Sequence, residues 1–170
     1  MLIGRTGSGK TAIAERISQN NGLRHVSSGD LARSLAEEDT RTRNMLDQGL
    51  LAPEEAMREL VQNAVEQASL QTGGFVLEGF PRTIPQLLTL MRWSPVATYI
   101  WLDVPMLICA LRLQDRNRLD DHPDAIAKKM HFFDNSTQPM LDALSEVGGV
   151  HRVNGEGSIH AVYERIRPLI

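Results

Sequence analysis

The sequence predicts an α/β fold, with a central parallel sheet of about five strands and helices packed on both of its faces. Short apolar segments rich in β-forming residues alternate with longer helical patterns along the whole chain. A glycine-rich loop separates the first strand from the first helix. No repeat or low-complexity stretch interrupts the alternation. With 170 residues, 42% of them hydrophobic, the chain can bury one full core, so a single domain over residues 1–170 is expected.

The first half of the chain supplies two strands and four helices. Residues 1–3 are the end of a strand, which is either short or continued upstream, because a buried parallel strand commonly has about five residues. Gly22 ends the helix that follows at 11–19, and residues 23–27 form the second strand. Helices are predicted at 31–37 and, capped by Asp39, at 40–48. Pro53 with two following acids starts a fourth helix, whose apolar stripe predicts packing against the sheet.

The second half alternates in the same way. Gly73 and Gly74 end the fourth helix, and the next strand covers residues 75–77. A short helix follows Pro85, and residues 96–102 form the most apolar strand. Helices start at Pro105 and at Pro123, and Pro139 is expected to bend the second of them. Residues 150–153 form the last strand, and Ser158 caps the closing helix.

The segment from Gly4 to Thr11 carries the chemistry of the first loop. It fits the Walker A pattern G-x-x-x-x-G-K-[ST], in which glycines let backbone N–H groups turn inward around phosphates. Lys10 would place a positive charge at the β- and γ-phosphates, and the Thr11 hydroxyl would ligate Mg²⁺. The loop therefore predicts the three-layer P-loop form of the α/β fold.

Two further groups of polar residues follow strands of the predicted sheet. Glu78 and Arg82 come directly after the third strand, where ligands of open α/β sheets bind. The acid can hold Mg²⁺ through water, and the arginine can clamp a phosphate. The third group is Arg112, Arg116 and Arg118. A nucleoside triphosphate with a monophosphate carries roughly six negative charges, which suits these cations.

Composition excludes several other classes. A net charge of −3 argues against nucleic-acid binding by general electrostatics. No apolar stretch has the length of a membrane span, and the residues before Gly4 are too few for a signal peptide. Cys109 is the only cysteine, so a cytoplasmic protein without disulfides is expected. The five histidines show no triad or metal spacing and are predicted to be surface or satisfied core residues.

Four blocks of sequence resemble the nucleoside monophosphate kinases, and among them the adenylate kinases. The blocks are the Walker loop, residues 22–33, residues 74–86, and residues 112–121 continuing to 137–139. The resemblance implies a reversible, Mg²⁺-dependent transfer of the γ-phosphoryl group of ATP to AMP, giving two ADP. It also implies a helical acceptor-binding insertion at 28–57 and a very short lid at 116–121. A monomer is expected. The zinc-binding lid of some members is not expected, because that lid needs four cysteines and the chain has one.

The same resemblance assigns roles to individual residues. Catalytic roles fall to Lys10, Arg82, Arg116, Arg118 and Lys129. ATP would be bound by Gly7, Ser8, Gly9, Lys10, Thr11, Ala12, Arg112 and Arg116. AMP would be bound by Ser28, Arg33, Leu46, Leu51, Ala52, Gly79, Arg82, Gln86, Arg118 and Lys129. Mg²⁺ would be held, directly or through water, by Thr11, Asp30 and Glu78.

The chain departs from the family pattern at several positions. Glu78 stands where the family has aspartate, and Lys129 where an arginine contacts phosphate, although a lysine lacks the bidentate fork. Thr11 and Ala12 replace the usual glycine and threonine, and Ala143 with Leu144 replaces a tyrosine pair. An active enzyme is still expected. Two alternatives stay open, a UMP or CMP kinase of the same family and a non-catalytic nucleotide-binding module.

Overall fold

The computed structural model describes residues 1–94, 97–114 and 122–170, and it confirms the predicted α/β fold. Within these ranges one sheet has five strands in the order β2-β3-β1-β4-β5, and every pairing is parallel. The strands are β1 (Leu2–Ile3), β2 (Arg24–Ser27), β3 (Phe75–Glu78), β4 (Ile100–Asp103) and β5 (His151–Asn154). β1 is two residues long, yet it is the central strand. β4 begins four residues later than the predicted strand at 96–102, whose residue 96 lies outside the described ranges.

The helices of the described ranges connect these strands. They are α1 (Lys10–Asn21), α2 (Ser28–Glu38), α3 (Thr40–Asp47), α4 (Glu54–Thr72), α5 (Ile84–Trp93), α6 (Met106–Gln114), α7 (Pro123–Phe132), α8 (Gln138–Glu146) and α9 (Ile159–Ile166). A 3₁₀ turn, Arg167–Leu169, closes the chain. No helix in the described part of the chain has both the length and the hydropathy needed to cross a bilayer.

Local signals set most of these boundaries. Gly22 and Gly73 end α1 and α4 in the left-handed region, with φ of 65° and 71°. α2 begins earlier than predicted because the Ser27 hydroxyl accepts a hydrogen bond from the Asp30 amide and caps the helix. Asp39 and Ser158 cap α3 and α9 in the same way, as predicted.

The helix predicted from Pro123 is divided into two α-helices by a π-helical turn, Phe133–Thr137. Pro139 explains the wider turn, because proline has no N–H and its ring would collide with the carbonyl four residues back, at Asn135. In a π-turn the hydrogen bonds span five residues instead of four, so the turn contains one additional residue and the helix continues beyond it. The structure shows a change of helix type just before Pro139, whereas the bend expected at Pro139 stays a prediction.

The core lies on both faces of the sheet. Leu2 packs with α1 and α9 on one face, whereas Ile3 packs with α4, α5 and α8 on the other. Successive strand residues point to opposite faces, so the two residues of β1 anchor both halves of the core. The chain is therefore wound on both faces of the sheet, and the loop after β1 starts from the middle of the molecule.

Candidate functional site

A cavity of about 680 Å³ opens at the carboxyl ends of the strands. It begins at the loop after β1 and extends past the end of β3 to α7 and the π-turn. The segment from α2 to the start of α4 forms its far wall. This is the place where open α/β sheets bind ligands, beside a central strand with neighbours on both sides.

The phosphate loop packs closely against the rest of the protein. A Cβ on Gly7 would lie 2.4 Å from the Cys109 carbonyl oxygen, and φ at Gly7 is 80°, so no other residue fits there without strain. The Lys10 ammonium lies within the loop, with Nζ 2.8 Å from the Gly4 carbonyl oxygen and 2.7 Å from that of Arg5. The loop therefore presents a lysine and the start of α1 to the cavity, as the Walker pattern predicts.

Glu78 lies at the end of β3, directly opposite the start of α1. The Thr11 hydroxyl donates to Glu78 Oε1 over 2.8 Å, and His25 Nε2 lies 3.4 Å from the same oxygen. Burial alone would raise the pKa of Glu78. The contacts with His25, Lys10 and Thr11 outweigh burial and hold the pKa of Glu78 below its usual value. Glu78 is thus an ionised carboxylate at 5% exposure, next to a hydroxyl.

These two oxygen donors fit a magnesium ion that is bound together with a nucleotide. Mg²⁺ prefers hard oxygen ligands and in such sites takes one or two carboxylates, with phosphates and water supplying the rest. The described residues contain no cluster of three or more His, Cys, Asp or Glu side chains placed to hold a metal. Thr11 and Glu78 supply one hydroxyl and one carboxylate, which is sufficient for a Mg²⁺ ion whose other ligands are phosphates and water.

Arg82 is held by the turn that follows β3. Its Nε donates to the Gly79 carbonyl over 2.6 Å, and its backbone N–H donates to Gln86 Oε1 over 2.8 Å. The Thr137 hydroxyl donates to the Arg82 carbonyl over 2.9 Å. The Arg82 side chain lines the cavity, and hydrogen bonds to Gln86 and from Thr137 hold the backbone from which it extends.

The predicted acceptor residues surround the far part of the cavity. Those that line it are Ser28, Arg33, Leu46, Leu51, Ala52, Gly79, Arg82, Gln86 and Lys129. Gly79 has φ of 76°, and a Cβ there would lie 2.5 Å from Ser28 Oγ. With Gln86 Oε1 already accepting from Arg82, the amide NH₂ of Gln86 is the end available to donate to a base.

The structure places a few of the predicted residues elsewhere. Ser8 is buried and does not line the cavity; its carbonyl accepts a hydrogen bond from Arg112 Nη1 over 3.2 Å. Asp30 is exposed, forms an ion pair with Arg33 and is absent from the lining. Arg116 and Arg118, and with them the predicted lid, lie outside the described residues.

Some residues at the site were missed by the sequence reasoning. Lys128, Met45 and Phe132 line the cavity. His25 was predicted to be an ordinary surface or satisfied core residue, but its Nε2 faces Glu78 and has no hydrogen-bond partner among the described residues. The sequence carries no signal for this neighbour, because it depends on the register of β2 against β3, which pairs Ser27 with Glu78 and His25 with Val76.

The segment before α4 also contacts α7 directly. His122 Nε2 lies 2.6 Å from the Asp47 carbonyl oxygen, while His122 Nδ1 accepts from the Ala125 amide. A Cβ on Gly49 would lie 2.6 Å from the Ala125 Cα, so the two backbones touch there. This contact joins the far wall of the cavity to the helix that carries Lys128 and Lys129.

The fold and the loop after β1 are those of the P-loop α/β proteins. Comparison with known proteins narrows the class: the family model described as Adenylate kinase matches residues 2–148. Similar proteins include an adenylate kinase of Kocuria rhizophila, 33% identical over 98% of this chain and 95% of that protein. An adenylate kinase of Bacteroides fragilis is 29% identical over 98% and 94%, and one of Ureaplasma urealyticum 27% over 98% and 95%. The chain belongs to the adenylate kinase family.

Proposed function

We propose that this protein catalyses the reversible transfer of the γ-phosphoryl group of ATP to AMP, giving two molecules of ADP. The observation that supports the proposal most strongly is one cavity lined at one end by the Walker loop and at the other by Arg82, Arg33 and Gln86. Membership of the adenylate kinase family points to the same phosphotransferase reaction.

The donor side is the loop and the start of α1. Backbone amides of Gly7, Gly9 and Lys10 and the positive end of the helix dipole would hold the phosphates of ATP. Lys10 would act as a point charge at the β- and γ-phosphates. Arg112, which lines the cavity and bonds to the Ser8 carbonyl, would pack against the base of ATP.

The acceptor side is the region between α2 and α5. Arg82 and Arg33 would bind the phosphate of AMP, and Lys129 would approach it from α7. Leu46, Leu51 and Ala52 would surround the base, and the Gln86 NH₂ would donate to a ring nitrogen. We read residues 28–57 as the acceptor-binding insertion and residues 116–121, outside the described ranges, as a short lid carrying Arg116 and Arg118.

Catalysis in this arrangement depends on position and charge rather than on a covalent intermediate. A phosphoryl group moving in line between two bound nucleotides needs its charge neutralised and water excluded. Thr11 and Glu78 would hold Mg²⁺, which would supply positive charge to the phosphates of the bound nucleotide. The cations of the cavity would do the same from the protein side. We further propose that the protein acts as a monomer in the cytoplasm on free nucleotides.

A coupled assay with ATP, AMP and Mg²⁺ tests the proposal. Purified protein should form ADP, and Lys10→Ala should abolish the activity while the protein stays folded by circular dichroism. Turnover no higher than that of Lys10→Ala would contradict the proposal and favour a nucleotide-binding module. AMP, CMP, UMP and GMP offered separately should give the highest kcat/KM with AMP; a preference for UMP or CMP would identify a sister kinase.

A further inference from the structure

Arg5 is the second residue of the phosphate loop, yet its side chain does not line the cavity. The guanidinium forms an ion pair with Asp134, which is 129 residues away in the chain, and lies over the Phe133 ring at 4.4 Å from the ring centre. The Arg5 and Asp134 side chains are 19% and 39% exposed. Arg5 is therefore directed away from the phosphates and toward the π-turn.

The backbone of Arg5 is at the same time part of the nucleotide site. Its carbonyl oxygen accepts from Lys10 Nζ at 2.7 Å and from the Ser8 amide at 3.1 Å. One carbonyl thus positions the catalytic ammonium and closes the turn of the loop. A displacement of Arg5 would move both of these groups.

The π-turn on the other side of the ion pair also belongs to the cavity. Phe133 lines it, and Lys129 lies one helical turn before Phe133 on the same side of the helix. At the end of the turn, the Thr137 hydroxyl donates to the Arg82 carbonyl. The five residues Phe133–Thr137 therefore contact the donor loop through Asp134 and the acceptor arginine through Thr137.

We propose that Arg5 is a positioning residue, which fixes the phosphate loop to the π-turn and so sets Lys10 against Lys129 and Arg82 across the cavity. The inference depends on the proposed function for its meaning in catalysis. The role assigned to Asp134 is to hold Arg5 in place, so that the Arg5 carbonyl oxygen keeps Lys10 in position.

An ion pair at a protein surface commonly contributes little to stability, so the pairing with Asp134 alone does not make Arg5 a positioning residue. Two features distinguish this pair. The first is that both partners are partly shielded and that the guanidinium also lies over the Phe133 ring. The second is that the Arg5 carbonyl oxygen accepts a hydrogen bond from Lys10 Nζ, so a displacement of Arg5 would directly move Lys10.

The test is a double-mutant cycle on ATP affinity with Arg5→Gln, Asp134→Asn and the double variant. Asp134 does not line the cavity, and loss of its negative charge would by itself favour a polyanion, so weaker ATP binding in Asp134→Asn must pass through Arg5. We expect each single variant to weaken ATP binding, measured by calorimetry, by about 5- to 50-fold. The double variant should be no weaker than Arg5→Gln alone, and AMP affinity should change less than twofold.

The chain offers a matched control. Arg152 is likewise paired with a carboxylate, that of Asp103 at 2.7 Å, and lies over the Trp101 ring at 4.5 Å. It is on β5 and does not line the cavity, so Arg152→Gln should leave ATP affinity unchanged. Arg5→Lys, which keeps the charge but loses the guanidinium over the Phe133 ring, should have an ATP affinity between those of wild type and Arg5→Gln.

Wild-type ATP affinity in Arg5→Gln or Asp134→Asn would overturn the inference, and so would effects that add in the double variant. Thermal unfolding checks that each variant is folded, and if Arg5→Gln is not, Asp134→Asn and Arg5→Lys carry the test. Calorimetry needs no turnover. A wild-type protein that binds ATP without phosphorylating AMP would therefore contradict the proposed function and leave the cycle valid.

Discussion

The hydroxyl of Thr11 donates to Glu78 Oε1 over 2.8 Å, which joins the first turn of α1 to the end of β3. These two residues are 67 positions apart in the chain and come from different strand–helix units. Their contact places a buried carboxylate beside the hydroxyl of the Walker loop. The magnesium requirement and the acid stability of the protein should both depend on this contact.

Glu78→Gln should lower activity and increase the Mg²⁺ concentration that the enzyme needs. The substitution keeps the shape of the side chain but removes its charge, and loss of such a group beside a metal ligand typically reduces metal affinity or activity by about 10- to 100-fold. The measurement is ADP formation against Mg²⁺ concentration. Glu78→Asp, which restores the carboxylate on a shorter stem, is the control and should recover part of the activity. An unchanged Mg²⁺ dependence in Glu78→Gln would remove Glu78 from the metal site.

The ionisation of Glu78 should also appear in the pH dependence of stability. In the folded protein the pKa of Glu78 lies below its ordinary value of 4.5. Burial would raise this pKa, but the contacts with His25, Lys10 and Thr11 lower it by more. The carboxylate therefore stabilises the fold fully above the unfolded pKa, and this part is lost as the pH falls through the lower folded value. Urea unfolding at pH 3 to 7 should show wild type losing stability relative to Glu78→Gln as the pH falls. A difference that is constant over this range would contradict the shift.

Arg82→Ala should reduce kcat/KM by about 10³-fold or more, by comparison with other arginines that stabilise transferring phosphoryl groups. The residue lines the cavity, and its backbone is fixed by Gln86 and Thr137. Arg92→Ala, an exposed position near the end of α5, serves as the control and should have wild-type rates. A loss of less than tenfold in Arg82→Ala would mean that the guanidinium does not contact the reacting phosphates.

Gly79→Ala and Gly73→Ala separate backbone strain from damage to the site. The two glycines have similar φ values, 76° and 71°, so alanine should cost each about 1–2 kcal/mol of stability. Only at Gly79 would the new Cβ meet another group, Ser28 Oγ at 2.5 Å, whereas nothing lies within 4 Å at Gly73. We expect Gly79→Ala alone to raise KM for AMP in the coupled assay. Equal kinetics in the two variants would be evidence against a role for the Gly79–Ser28 contact.

Leu90→Ala should destabilise the protein by about 2–5 kcal/mol, because Leu90 is completely buried between α5 and the sheet. Leu70→Ala is the matched control, since Leu70 on α4 is 80% exposed, and it should change stability by less than about 0.5 kcal/mol. Denaturant unfolding measures both. Similar midpoints for the two variants would contradict the assignment of the core.

The sequence predicted the strands and helices well where local signals decide them. Gly22, Gly73 and Ser158 mark their helix ends through backbone conformation or capping, which a few neighbouring residues determine. The phosphate loop could be predicted for the same reason. The parallel sheet followed from the alternation of strands and helices.

The features that the sequence did not indicate depend on contacts between distant segments. The pair of Arg5 and Asp134, and the approach of His25 to Glu78, exist only after the sheet and helices have assembled. Asp30 is a different case, because it is exposed and pairs with Arg33, only three residues away on the same helix, α2. Periodicity shows which face of an element is buried, but not which side chain lies opposite.

The π-turn at Phe133–Thr137 sets the rotational phase of α7 about its own axis. One residue corresponds to about 100° of rotation in an α-helix, so removing one residue from the turn would rotate everything before it relative to α8. Lys128 and Lys129 would then face a different direction, although their sequence and helicity were unchanged. The number of residues in the turn therefore determines which way the basic wall of the cavity faces, in addition to the contacts that Phe133, Asp134 and Thr137 make.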